Sequence, residues 1–209
     1  MSAERGRPGK IVCVGRNYAE HAKELGNEVP KEPLIFLKAP SSVIAEGDAI
    51  VLPNLSKHVE HEGEIGVIVG SRLRKASESE AKDSIAAIVA VNDVTARDLQ
   101  KTDGQWTRAK GFDTFCPMGK PASKFPSLDD LTVVTRVNGE ERQRGHSADM
   151  VFQIPTLLAY ISGIMTLEPG DLIATGTPAG VSRLHPGDVV EVEIVGVSKV
   201  SNPVEAQND

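Results

Sequence analysis

The sequence is short of cysteine, of long apolar runs and of surplus positive charge, and each shortage removes a class of protein. Its two cysteines, Cys13 and Cys116, lie far apart and form no CxxC unit. A structural zinc site is therefore not expected, and the reducing cytoplasm is the expected compartment. No apolar stretch approaches the roughly 20 residues that span a bilayer, so no membrane association is expected. The opening MSAERGRPGK lacks the apolar core of an export signal, which again points to the cytoplasm. Acidic side chains outnumber basic ones, 29 to 23, for a net charge of −6. No basic face advertises nucleic acid.

What is present is an ordinary globular mixture. The 209 residues are 40% hydrophobic and 25% charged, which fits one domain over residues 1–209 with a sizeable core. Segment 10–15 (KIVCVG) reads as a buried strand. In 17–26 (NYAEHAKELG) Asn17 would cap a short helix and Gly26 would stop it. A strand at 33–38 is followed by a Pro/Ser turn at 40–42. Residues 59–70 (VEHEGEIGVIVG) read as one strand, acidic in its first half and apolar in its second. A short helix at 78–84 precedes a buried strand at 85–94, and Thr95 is the candidate cap of a brief helix in TARDLQK. Residues 131–138 alternate well, and Asn138-Gly139 is a strong hairpin signal. Segment 155–165 suits a helix opened by Pro155. Strands at 171–175 and 188–195 are joined by a Gly/Pro-rich loop, and the polar tail 201–209 is expected to fray. Many short strands with few scattered helices predict an α+β protein dominated by sheet.

Side chains two apart on a strand share a face, so Glu62 and Glu64 project together from HEGEIG. Two such carboxylates beside an apolar run repel each other unless a cation or proton lies between them. Asp93 ends the apolar strand 85–92, where a carboxylate would emerge at a sheet edge. Three carboxylates without a cysteine make a hard-oxygen set that suits magnesium or manganese better than zinc. The same spacing also fits a solvated strand face. Glu191 and Glu193, alternating with Val190, Val192 and Ile194, show that ordinary pattern, and Glu60 has the same phase as Glu62 and Glu64. Spacing leaves both readings open.

Seven landmarks in one order go further: GRNY (15–18), then HxxE (21–24), FLK (36–38), HExEIG (61–66), NDVTARDLQ (92–100), QWTRAKGFDTFCP (105–117) and TGTP (175–178). In these the chain resembles the fumarylacetoacetate hydrolase superfamily over nearly its whole length. It is most similar to the short members, which are acylpyruvases, oxaloacetate decarboxylases or tautomerases, and bacterial isomerase/decarboxylases. The resemblance implies a strand-rich mixed β-sheet roll of the fumarylacetoacetase C-terminal-domain type with a few short peripheral helices, and a homodimer. It implies Mg²⁺ or Mn²⁺ held by Glu62, Glu64 and Asp93. A further, earlier Asp ligand of longer members has no matching motif here. The segment about 15–30 would be a mobile lid.

His21 and Glu24, three apart on a short helix, share a face. A carboxylate beside an imidazole orients it as a general base, although surface HxxE pairs are also common. By resemblance they form a catalytic dyad that would assemble on lid closure. Lys110, in TRAKGF, is implied as the third catalytic residue, stabilising an oxyanion by its charge. Arg97 either receives a substrate carboxylate or makes a salt bridge to Asp98 or Asp93. Gln100 follows it, Thr177 by resemblance would contact the substrate's carboxylate end, and Arg16, Asn17, Tyr18 and Lys38 complete the substrate-binding candidates. Gly176 and Gly180 make no dinucleotide fingerprint, and Trp106 and His61 read as packing residues.

The expected activity is metal-dependent cleavage of a C–C bond in a small 2-oxo acid: acylpyruvate hydrolysis, with oxaloacetate decarboxylation or tautomerisation. The alternative is 2-hydroxyhepta-2,4-diene-1,7-dioate isomerase or 5-oxopent-3-ene-1,2,5-tricarboxylate decarboxylase activity of aromatic catabolism. A different class, a non-catalytic protein that binds metal and oxo acid, would be stabilised by its ligand without forming product.

Overall fold

The computed structural model describes residues 7–24 and 26–208. Met1–Gly6, most of the segment read above for an export signal, lie outside the described residues, as do Leu25 of the expected lid and Asp209 of the tail. In chain order the elements begin with β1 (Ile11–Gly15), α1 (Ala19–Glu24), β2 (Leu34–Lys38), β3 (Val43–Ile44), β4 (Ile50–Leu52), β5 (Val59–Glu60) and β6 (Gly63–Val69). Then come α2 (Glu78–Asp83), β7 (Ile85–Asn92), β8 (Thr95–Ala96), α3 (Arg97–Thr102), α4 (Thr107–Lys110) and β9 (Cys116–Pro117). The chain finishes with β10 (Thr132–Val137), β11 (Glu140–His146), α5 (Ile154–Ile164), β12 (Leu172–Ala174), β13 (Val189–Ile194) and β14 (Ser198–Ala206).

Two five-stranded sheets dominate, ordered β2-β1-β12-β6-β7 and β11-β10-β13-β14-β4, with two-stranded ribbons β3-β9 and β5-β8 beside them. Each large sheet is mixed: β1 runs parallel to β12 and β14 parallel to β4, while the other pairs are antiparallel. Val12, Val14, Ile65 and Val67 of the first sheet meet Val133, Val192, Ile194 and Val200 of the second in one core. Helix α5 closes that core with Ile154, Leu157, Leu158 and Ile161, whose i, i+3, i+4, i+7 spacing makes a single apolar stripe. The strand-rich α+β architecture expected from the sequence is the one found. No helix among the described residues is long and apolar enough to cross a membrane.

The hairpin signal holds in detail. Asn138 and Gly139 have φ of 55° and 81°, the doubly left-handed turn whose twist suits two flanking strands. It leads into β11, which the sequence reading did not anticipate. Among the described residues this edge strand pairs with β10 alone, and it is blunted by charge, including ion pairs Arg142–Glu140 and Arg144–Glu141 at 2.9 and 2.6 Å.

Four local expectations need correction. The tail does not fray to its end: residues 198–206 form β14, clamped between β13 and β4, because its alternating Val200, Asn202 and Val204 are buried. The expected single strand 59–70 breaks at His61–Glu62. There the chain leaves its partner β8 and joins β7, held by Asp93 N donating to Glu62 O at 2.8 Å. Thr95 is no helix cap, since it lies in β8 and donates its hydroxyl to Asp93 O at 2.8 Å; Ala96 is the residue before α3. Asn17 spends its amide elsewhere, donating to Phe152 O and Thr175 O and accepting from Phe152 N. Gly26 does stand just past α1 with φ of 70°.

Val204, 2% exposed, tests the role of β14. Val204→Ala should cost about 2 kcal/mol by loss of buried methyl groups, or roughly 4–8 °C in Tm. An unchanged thermal midpoint would mean that β14 contributes nothing to the core.

Candidate active site

The first sheet carries the acids. Gly63 and Glu64 open β6 opposite Asn92 and Val91 of β7, Glu62 precedes β6, and Asp93 follows β7. Glu62 N donates to the Asn92 side chain at 3.0 Å, fixing the crossing where the two strands part. One oxygen from each of Glu62, Glu64 and Asp93 lies within 4.8 Å of the others, and all three side chains are buried. The solvated-face reading of Glu62 and Glu64 is therefore excluded, whereas Glu191 and Glu193 are half-exposed and pair with Arg136, as their alternation suggested.

Three cations are buried with the acids. Lys110 Nζ lies 2.7 Å from both Glu62 Oε2 and Asp93 Oδ2 and 5.0 Å from the centre of the Phe36 ring. Lys38 Nζ lies 2.8 Å from Asp93 Oδ1. Arg97 reaches Glu62 Oε1 at 2.6 Å and Glu60 Oε2 at 2.7 Å, and donates to Gln100 Oε1 at 2.6 Å. Arg97 thus pairs with neither Asp98 nor Asp93, because β5 and β6 bring Glu60 and Glu62 to it first.

Glu64 is the exception. It accepts one backbone bond, from Gly176 N at 2.8 Å, and among the described residues it forms no ion pair. Burial, then the negative charges of Asp93 and Glu62, push its carboxyl well above the ordinary range. Glu62 is equally buried, yet Lys110 and Arg97 overcome that and hold its carboxyl far below the ordinary range. Lys110 loses by burial but is raised overall by Asp93 and Glu62. With Glu64 ionised, the patch sets four carboxylates against the three buried cations, with the half-exposed imidazole of His58 meeting Glu60 at 2.8 Å from the solvent side; without a cation, the raised Glu64 carboxyl is the one that keeps its proton. Three converging hard-oxygen donors with an uncompensated charge fit a divalent cation such as Mg²⁺ or Mn²⁺.

Beside the acids, His21 Nδ1 meets Glu24 Oε2 at 3.1 Å, and Glu24 Oε1 accepts from Gly180 N at 3.0 Å. The dyad is assembled in this structure, with its helix tied to the loop after β12. A cavity of about 400 Å³ brings these groups together. Of the sequence-derived candidates, Arg16, His21, Glu24, Glu62, Glu64, Asp93, Arg97, Gln100, Lys110 and Thr177 line it. Arg16 has a left-handed backbone, φ 60°, a strained state for a residue with a side chain.

Three candidates lie behind the wall. Lys38 is 2% exposed and spends its ammonium on Asp93, Val94 O and Lys110 O, so it holds the site together from within. Asn17 is spent on backbone, as above. Tyr18 packs in the main core, where burial and then Glu64 raise its hydroxyl's pKa. Trp106, read as a packing residue, packs edge-on to Phe36 with ring centres 5.2 Å apart, and both also line the cavity together with Lys101. His61 is buried as expected, but in a hydrogen-bond network with Gln143 and Ser182, where burial lowers its pKa. Both cysteines are buried and free; burial lifts Cys116 to about 12, far from a thiolate at neutral pH.

Fold and site together define an α+β enzyme built around a buried carboxylate cluster. Residues 10–205 match the family model described as fumarylacetoacetate (FAA) hydrolase C-terminal, and the chain belongs to the fumarylacetoacetate hydrolase family. Over 94% of its length it is 47% identical to a mitochondrial oxaloacetate tautomerase of Arabidopsis thaliana, covering 91% of that protein. Over 93% it is 44% identical to a mitochondrial oxaloacetate decarboxylase of Dictyostelium discoideum, again covering 91%. The crystal structure of 2-hydroxyhepta-2,4-diene-1,7-dioate isomerase from Mycobacterium marinum superimposes with a TM-score of 0.88 at 40% identity, over 97% of this chain and 76% of that one.

The charge imbalance predicts opposite responses in chelator. Glu62→Gln should lower Tm by the equivalent of about 3 kcal/mol, because it weakens buried pairing to Lys110 and Arg97. Glu64→Gln should leave Tm equal or higher, because it replaces a buried carboxyl that has no ionic partner by a neutral amide of the same shape. Thermal melts of both variants with EDTA check this. An equal loss in both would contradict the assignment of Glu64 as the unpaired acid.

Proposed function

We propose that the chain is a divalent-metal-dependent enzyme of small 2-oxo acids, acting on oxaloacetate by keto–enol tautomerisation and decarboxylation and on acylpyruvates by hydrolysis. The observation that carries this reading is the convergence of Glu62, Glu64 and Asp93 beside the His21–Glu24 pair in one cavity. Held by the three carboxylates, Mg²⁺ or Mn²⁺ would supply Lewis-acid polarisation of the substrate's 2-oxo group. With Glu64 ionised against it, a dication would leave the patch one positive charge in excess, which favours an anionic substrate.

The chain's own residues supply the proton chemistry. Glu24 engages His21 Nδ1 and leaves Nε2 as the base. In tautomerisation His21 takes the C3 proton of the keto acid, and the enol forms when the 2-oxo oxygen is protonated. In hydrolysis His21 takes a proton from the water that attacks the distal carbonyl of an acylpyruvate. The C3–C4 bond then breaks, giving the carboxylic acid and pyruvate. Lys110 has three N–H donors, two of them directed at Glu62 and Asp93, and the third serves the developing oxyanion. Decarboxylation needs no base, because loss of CO₂ from C4 of oxaloacetate leaves the electron pair on C3. Arg16, Gln100 and Lys101 on the cavity wall suit the far carboxylate. Arg97, occupied by Glu60, Glu62 and Gln100, aligns the acids instead of gripping substrate. The reading includes a mobile lid around α1 and a homodimer, both carried by the family resemblance, and a cytoplasmic location, carried by the cysteine usage and the opening sequence.

A second reading draws on the solved isomerase and on the two basic side chains Arg16 and Lys101 at the cavity wall. It is isomerisation or decarboxylation of a longer unsaturated dicarboxylate.

A panel of acetylpyruvate, fumarylpyruvate, oxaloacetate (enol and keto forms) and a homoprotocatechuate-pathway intermediate, assayed with Mg²⁺, Mn²⁺ or chelator, ranks these reactions. Turnover should vanish in chelator. His21→Ala should lower kcat for hydrolysis and tautomerisation by about 10²–10⁴-fold with little change in Mn²⁺ affinity. Wild-type turnover by that variant, or turnover of no panel member by the native enzyme, would overturn the reading.

A further inference from the structure

We propose that Gln143 is a positioning residue that fixes the geometry between Glu62 and Glu64 and seats the 175–178 loop against them. This rests on the reading that those acids hold a divalent cation. Gln143 lies on the charged edge strand β11, whose Glu140, Glu141, Arg142 and Arg144 are exposed while Gln143 and Gly145 are buried. A glutamine 1% exposed must place all its polar atoms on partners, and this one does.

Its Oε1 accepts from the backbone N–H of Gly63 at 3.0 Å and pairs with His61 Nδ1 at 3.0 Å. Its Nε2 donates to Thr177 Oγ1 and to Pro178 O, both at 2.7 Å. The Thr177 hydroxyl in turn donates to Gly63 O at 2.9 Å, which closes a ring. Two peptide units join Glu62 to Glu64. The ring holds the first through its N–H and the second through its C=O, so the rotation that would separate the two carboxylates is restrained at both.

Only one amide orientation works. Reversing it would set Nε2 against the Gly63 N–H and Oε1 against Pro178 O. With that orientation set, His61 donates from Nδ1 and accepts from Ser182 Oγ at 2.8 Å through Nε2. Gly63 itself admits no side chain, because a Cβ there would lie 1.9 Å from Thr135 Oγ1. Gln143 touches none of the carboxylates. It acts through the backbone between them and through Thr177, which lines the cavity.

The test is isothermal titration of Mn²⁺ into the chelator-stripped full chain, with thermal melts in EDTA alongside. Gln143→Met keeps similar bulk without polar atoms. Thr177→Val opens the ring from the cavity side with an isosteric side chain, and Thr177→Ser keeps the hydroxyl. Gln143→Met and Thr177→Val should bind Mn²⁺ roughly 10- to 100-fold more weakly, the usual loss when a group that orients metal ligands is removed. Thr177→Ser should bind as the wild type does. A purely structural role would lower Tm and leave Mn²⁺ affinity intact. Wild-type affinity in Thr177→Val overturns the proposal even if Gln143→Met fails to fold. A native chain with no Mn²⁺ affinity overturns instead the metal reading beneath it.

Discussion

Four carboxylates and three cationic side chains cluster at the cavity, with Glu62, Glu64, Asp93, Arg97 and Lys110 on its wall and Glu60 and Lys38 behind it, and each has given up most of its water. Removing an ion from water costs several kcal/mol even after the protein relaxes, so such a patch persists only where every charge finds a partner. Lys110 and Arg97 serve Glu62, Lys38 and Lys110 serve Asp93, and Arg97 and His58 meet Glu60. Glu64 is left with one backbone N–H. The imbalance concentrates cost at one residue, and a dication held by Glu62, Glu64 and Asp93 would remove it. Such a cation would compete with Lys110 for Glu62 and Asp93 and would free part of the lysine's charge.

The fold delivers this patch by changing strand partners. The chain pairs with β8 through Glu60, breaks at His61–Glu62, then pairs with β7 from Gly63. That break sends Glu60 and Glu62 toward Arg97 and leaves Glu64 facing the loop after β12. The same loop supplies Gly176 to Glu64 and Gly180 to Glu24. Acids, dyad and helix α1 are therefore tied to one loop, and a shift in it would be felt by all three. Gly176 has φ of 104°, and a Cβ there would lie 2.7 Å from the Asn17 side chain, so the close approach of loop and GRNY segment needs glycine.

Much of this was legible in the sequence, for identifiable reasons. Apolar runs and alternation located most strands, Asn138-Gly139 marked its hairpin, and the ordered landmarks pointed to the acidic trio and the dyad. Spacing alone could not separate Glu62 and Glu64 from Glu191 and Glu193, since both are ExE pairs among β-branched residues; burial and convergence depend on partners far along the chain. Arg97's choice of Glu60 over Asp98 and the inward role of Lys38 depend on the same long-range placement. Strand β11 was missed because its charges mask the pattern, although its two uncharged central positions, Gln143 and Gly145, share a face. The tail was misjudged because its polar residues alternate with Val200 and Val204, which belong to a sheet whose other strands lie elsewhere in the sequence.

The central claim is that the acidic trio is a cation site and not a self-contained salt-bridge cluster. Crystals soaked in Mn²⁺ and measured for anomalous scattering address it directly. The account predicts a peak bounded by the carboxylates of Glu62, Glu64 and Asp93, with Lys110 drawn away from at least one of its present partners. Density without such a peak at saturating Mn²⁺, with Lys110 still bridging Glu62 and Asp93, would contradict it.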